Sequence, residues 1–170
     1  MNRDKNCFKT PSRRRFLLLL PALALAGCGG DAAPKTTGLR FIVQADDEIN
    51  PNVNNEASPV VLRIYELKSL NAFSQASLFE LLDNDTAVLG ADMVGKREIE
   101  IKPGEKQAFE RATPVDTHYI GVIAGFRVID QASWRASTQI TPEKSGAVVV
   151  KVTAQAVTIA MTTDKTLGLF

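Results

Sequence analysis

One run leaves this chain little choice of architecture. Residues 118–129, HYIGVIAGFRVI, are apolar at nearly every position. A strand with one wet face alternates polar and apolar side chains, whereas a continuous apolar run belongs to a strand covered on both faces. The run is therefore expected to be a central strand with material packed above and below it. Shorter runs with β signatures surround it: LRFIVQA (39–45), PVVLRIYEL (59–67), WRASTQI (134–140), AVVVKVT (147–153) and QAVTIAMT (155–162). KREIEIK (96–102) alternates cleanly, setting Ile99 and Ile101 on one face and Glu98, Glu100 and Lys102 on the other. Pro103 and Gly104 supply turn chemistry, and EKQAFERA (105–112) is expected to return as the hairpin partner. Roughly eight short strands with regular turns predict an all-β, two-sheet sandwich. Trp134 and Phe126 are expected to be largely buried in it, with Arg135 on the opposite face from Trp134.

One segment breaks the pattern after the second strand. In NAFSQASLFELLDND (71–85), Ser77 and Glu80 have the spacing of a capping box, in which each side chain accepts from the other's backbone N–H. One or two short helices are expected there, closing an open side of the sandwich. Phe73, Leu78, Phe79, Leu81 and Leu82 are read as core packing.

The first residues belong to a different task. A basic stretch with Arg3, Lys5, Lys9 and Arg13 to Arg15 precedes an 11-residue apolar run at 16–26, interrupted by Pro21. A spanning helix needs about 20 apolar residues. The pattern is that of an export signal, which stands outside the fold. The run stops at Leu25-Ala26-Gly27-Cys28, which resembles the lipobox of bacterial lipoproteins. In those proteins the thiol takes a diacylglyceryl group, and cleavage just before the cysteine frees an amino terminus that is then acylated. The competing reading is a plain signal peptide cut near a cysteine. It would leave an unpaired thiol in an oxidising compartment, because Cys7, the other cysteine, departs with the signal. Lipidation consumes that thiol, and several acyl chains together make attachment stable. Gly29 follows the cysteine, where an aspartate would resemble an inner-membrane retention signal, so the outer membrane is favoured. Ser12-Arg13-Arg14-Arg15-Phe16-Leu17 resembles a twin-arginine motif with Leu18 in place of its lysine; twin-arginine and ordinary export both stay open.

The expected organisation is thus a signal at 1–27, a lipidated cysteine and tether at 28–38, and a sandwich at 39–170. The signal carries six basic residues and one acid, so the mature chain is left at −4. With no basic cluster, this balance argues against nucleic acid and against charge-driven adhesion to anionic lipid. The ten tether residues GGDAAPKTTG (29–38) extend at most roughly 33–36 Å.

Between the first two strands lies DDEINPNVNNEAS (46–58), 13 residues where hairpin loops usually have about 2–5. Asp46, Asp47, Glu48, Asn50, Pro51, Asn52, Asn54, Asn55 and Glu56 give it a polar, exposed character, and only Ile49, Val53 and Ala57 are apolar. It is read either as a protein-docking element or as a solvated insertion. Either way it is expected to add little to the core, so that a tight Asn-Gly turn could replace it.

Residues 50–93, then IKPGE at 101–105 and GFRVIDQASWR at 125–135, resemble the TssJ-type outer-membrane lipoproteins of type VI secretion. Pro59 with Arg63-Ile64-Tyr65-Glu66-Leu67, Leu89-Gly90, Pro103-Gly104 and Trp134-Arg135 carry the likeness. The resemblance implies a transthyretin-like β-sandwich with a helical addition and a protruding loop between the first two strands. It further implies binding to the periplasmic part of an inner-membrane TssM-type protein, in an envelope complex that includes TssL. In the loop, Asn50-Pro51 matches the family, while Asn54, Asn55 and Glu56 depart from a glycine expected nearby.

Enzymatic readings find no support. His118 is the sole histidine, which precludes a multi-histidine metal centre. No G-x-S-x-G elbow, phosphate loop or free cysteine nucleophile occurs. Asp83-Asn84-Asp85 lacks the glycine of a calcium loop at the sixth position, which is Val88. The expectation is a non-catalytic lipoprotein without cofactor other than the lipid on Cys28, anchored in the outer membrane and facing the periplasm. The alternative is a periplasmic sandwich lipoprotein that binds a small ligand or peptidoglycan, which would need a pocket lined by convergent polar and aromatic groups.

Overall fold

The computed structural model describes residues 35–162; the signal, Cys28 and most of the tether lie outside them. Eight strands form two four-stranded sheets. Strands β1 (Thr36–Ala45), β2 (Val60–Leu67), β3 (Met93–Ile101) and β4 (Lys106–Pro114) are followed by β5 (Tyr119–Ala124), β6 (Arg135–Gln139), β7 (Gly146–Val152) and β8 (Val157–Thr162). One sheet has the order β4-β1-β7-β8 and the other β3-β2-β5-β6. The chain is an all-β sandwich, and β1 starts at Thr36, within the stretch expected to be tether.

The apolar run at 118–129 supplies the central strand. β5 lies between β2 and β6 and is buried on both faces. Ile120, Val122 and Ala124 join the core between the sheets, while Ile123 packs on the outer side with Tyr65 and Leu67. The strand is shorter than the run. At Ala124 its carbonyl accepts from the Phe126 N–H, and this tight turn sends Phe126 back into the core while Arg127 and Val128 stay exposed.

The expected hairpin at 96–112 does not form. β3 and β4 lie in different sheets, and β4 pairs with β1 along its whole length. The turn with Gly104 at φ 70° is an arch between layers. Ile99 and Ile101 on β3 and Phe109 on β4 each face inward, and opposing them across the core lets both rows meet the same interior. Phe109 stacks on Phe41 at 5.0 Å, which fixes β4 against β1. Side chains close the seam between the β3 and β4 edges. Gln107 donates to the Glu100 carbonyl at 2.8 Å, the Arg97 guanidinium sits 3.9 Å from the Phe109 ring centre, and Arg111 pairs with buried Glu66. Burial raises the Glu66 carboxyl above its usual range, although Arg111 pulls the other way.

Three short helices, α1 (Asn71–Gln75), α2 (Leu78–Asp83) and α3 (Asp85–Leu89), cover the outer face of β2 and β5. The capping box at Ser77 and Glu80 is present in full. Phe73 lies so close to β5 that a Cβ at Gly121 would sit 2.7 Å from its ring, so any larger residue at position 121 would have to displace that ring. Phe79 departs from the core reading at 62% exposure. Leu78, Leu81 and Leu82, at helical i, i+3 and i+4 spacing, take the sheet-facing side of α2 and leave Phe79 outward. Buried Asp85 staples the helices to the sheet. It accepts from Lys96 Nζ at 2.8 Å, Arg63 Nη1 at 3.2 Å and Tyr65 Oη at 3.2 Å. Arg63 also donates to the carbonyls of Leu81 and Leu82, two of the open acceptors at the end of α2.

Trp134 packs between the two core clusters with part of its surface exposed, and Phe126 is buried. Arg135 does not point away from Trp134: its guanidinium lies 4.7 Å from the indole and donates to the carbonyls of Phe73 and Ala76. Trp134 precedes β6, so strand alternation does not govern the pair.

Candidate docking site

β1 ends in one sheet and β2 begins in the other, so residues 46–59 must cross the end of the sandwich. This crossing explains the length that a hairpin would not need. The neck is built into the fold. Ile49 is fully buried in the core between the sheets, and its carbonyl accepts from the Ser58 N–H at 3.0 Å. The loop is therefore no loose insertion, and wholesale replacement would remove a core residue.

Asn50 ties three connections together. Its backbone N–H donates to Ala154 at 3.0 Å, its Nδ2 donates to the Pro59 carbonyl at 2.8 Å, and its Oδ1 accepts from the Arg127 N–H at 2.8 Å. Asn50 sits at φ 47°, in the left-handed region where asparagine is among the tolerated residues. Asp46 is held from both sides: its N–H donates to Val152 and its carbonyl accepts from Gly104. Asp46, Asp47 and Glu48 themselves are exposed. Pro51 is half-exposed beside Phe126 and Val128.

Beyond the neck, residues 52–56 close on themselves. The Asn52 Oδ1 accepts from the N–H groups of Asn54 at 2.8 Å and Glu56 at 3.0 Å, and its Nδ2 donates to Glu56 Oε2 at 2.8 Å. The backbone adds bonds from Asn52 to Glu56 and from Asn55 to Asn52. Asn55 takes φ 62°, so an asparagine does here what a glycine would do. Val53 stands at the apex, 99% exposed. The sequence pointed to this loop by length and polarity. It missed the burial of Ile49 and the roles of Asn50 and Asn52, for which asparagine at left-handed or turn positions was the available signal.

Other candidates converge less well. A cleft of about 490 Å³ at the opposite end of β1 is lined by Gly38, Arg40, Glu110, Ala112 and Ser145, with no aromatic among its walls. Asp85 is committed to its ion pairs, and His118 is exposed. Among the described residues no cluster of three or more His, Cys, Asp or Glu is placed to hold a metal, and no helix is long and apolar enough to cross a membrane.

Comparison with known proteins bears on both fold and site. The family model described as "Type VI secretion lipoprotein, VasD, EvfM, TssJ" matches residues 37–155. The crystal structure of the type VI secretion lipoprotein TssJ1 from Pseudomonas aeruginosa aligns at TM-score 0.72 and 32% identity, over 75% of this chain and 97% of that one. Lip from Serratia marcescens, a membrane-bound component of the same type of system, aligns at TM-score 0.67 and 20% identity, over 73% and 97%; at that identity it speaks for the fold. A chain in the structure described as the type VI protein TssM C-terminal domain from EAEC aligns at TM-score 0.62 and 26% identity, over 72% and 99%. No curated protein matches by sequence search.

Proposed function

The chain belongs to the TssJ family of type VI secretion lipoproteins, and from that premise we propose that it anchors the secretion envelope complex to the outer membrane. In this reading Cys28 carries the lipid, residues 1–27 are removed as the signal, and the tether before Thr36 lets the sandwich hang into the periplasm. The loop at 46–58 docks the periplasmic part of a TssM-type inner-membrane protein. The protein then works by holding two partners together and performs no catalysis.

The observation that carries the reading is the build of the loop: a neck locked into the core and a closed tip with its apex in solvent. Direction supports it too. β1 leaves the tether at Thr36 and delivers the loop after ten residues, roughly 33 Å further on at about 3.3 Å per residue. The chain thus enters the sandwich at one end of β1 and the docking loop leaves at the other. The structure described as the TssM C-terminal domain, with its similar chain, supports the choice of partner class.

The anchor is tested by Cys28→Ser. Fatty-acid labelling should fall to background and the protein should leave the outer-membrane fraction, while its thermal unfolding stays that of the wild type. Equal labelling and equal membrane recovery in the variant would contradict the anchor.

A further inference from the structure

We infer that Val53 is the knob by which the loop recognises its partner, seated in an apolar dimple of that partner's periplasmic domain, and that Asn52 positions it. The inference rests on the docking reading above and names its contact. A single exposed apolar side chain is ordinary and carries nothing by itself. Here the exposed residue is presented by a closed turn that packs on nothing else among the described residues. Val53 to Ala57 are exposed, so the tip buries nothing for the core. Even so it is closed by three bonds from the Asn52 side chain and by backbone bonds between Asn52, Asn55 and Glu56, with Asn55 held at φ 62°. The result fixes one side chain in space at 99% exposure.

Valine suits a preformed contact. Its β-branched side chain has a strongly restricted χ1, so little freedom is lost when it is seated. Ordering the loop before binding also removes a cost that a floppy segment would meet at the moment of association. The flanking Asn54 and Asn55 side chains make no hydrogen bond among the described residues, which leaves them able to pair with polar groups at the rim of the dimple.

The test is a calorimetric titration of the partner's periplasmic domain with the detergent-solubilised full-length lipoprotein. Val53 is 99% exposed and buries nothing among the described residues, so Val53→Asp, Val53→Thr and Val53→Ile should all unfold at the wild-type temperature. Val53→Asp should weaken binding at least about a hundredfold, and Val53→Thr, which keeps the shape and loses the apolar surface, about tenfold. Val53→Ile should stay within about threefold. Asn52→Ala should weaken binding about tenfold, and combined with Val53→Asp it should add nothing, because it acts through Val53. A control replaces residues 52–56 by Asn-Gly and keeps Ile49, Asn50 and Ser58. If that control fails to bind while Val53→Asp binds like the wild type, the knob is wrong and the docking reading stands. If the control also binds like the wild type, the docking reading itself is wrong. Wild-type affinity in Val53→Thr would overturn the apolar dimple, and additive losses in the double variant would overturn the role of Asn52.

Discussion

Asp85→Ala should cost about 3 kcal/mol of folding stability, read from the midpoint of a urea titration. The side chain is only 6% exposed and holds Lys96, Arg63 and Tyr65 at once. Removing it leaves a largely buried guanidinium facing α3 with one of its two ion-pair partners gone, and frees a buried phenol from one of its acceptors. Breaking one side of a buried pair costs about 3–5 kcal/mol in general; the low end applies because Lys96 reaches solvent. The pH dependence follows. Burial pushes the Asp85 carboxyl up, but the hydrogen bonds from Lys96 and Thr86 and the charges of Lys96 and Arg63 outweigh it and hold the group below the usual carboxylate range. A carboxyl depressed in the folded state contributes stability above its unfolded pKa and loses it as pH falls through the folded value. Wild type should therefore lose stability below about pH 4, and Asp85→Asn should show a flatter acid limb. Tyr65, whose hydroxyl burial pushes up to about 12, stays protonated throughout that range.

Ile49→Ala should cost a similar amount, about 3 kcal/mol within the usual 2–5 for emptying a buried isoleucine site. The residue lies in a surface connection, yet it is 0% exposed and joins the core between the two sheets. Its carbonyl also anchors Ser58, so the cavity opens at the root of the loop. Val53→Ala, four residues away at the apex, should shift stability by less than about 0.5 kcal/mol. The contrast between the two, measured by the same denaturant titration, separates neck from tip. Equal effects would mean that the loop is not divided in this way.

The features that could be read from the amino-acid sequence are those set by local patterns. The run around β5 announced a strand buried on both faces because no alternation leaves it a wet side. Ser77 and Glu80 announced the start of α2 because a capping box is a local device. What escaped depends on distant partners. Ile99, Ile101 and Phe109 revealed which faces point inward, but the same alternation fits a hairpin or an arch. The pairing of β4 with β1, and the stacking of Phe109 on Phe41, join segments far apart in the chain that local alternation does not connect. Phe79 read as core by composition and lies outside because Leu78, Leu81 and Leu82 occupy the sheet-facing stripe. In the loop, length and polarity marked the segment. The burial of Ile49 and the bonds of Asn50 to Pro59, Arg127 and Ala154 arise from elements that meet only in the folded chain.

If the loop tip docks the partner, co-isolation from solubilised envelopes should depend on it. Cells would carry either the wild-type lipoprotein or the variant with residues 52–56 replaced by Asn-Gly. Both should be labelled by fatty acid and recovered in the outer membrane in equal amounts. Only the wild type should bring down the TssM-type inner-membrane protein. Equal recovery of that protein with the tip-replaced variant would rule out docking by the tip and move the interface to another face of the sandwich.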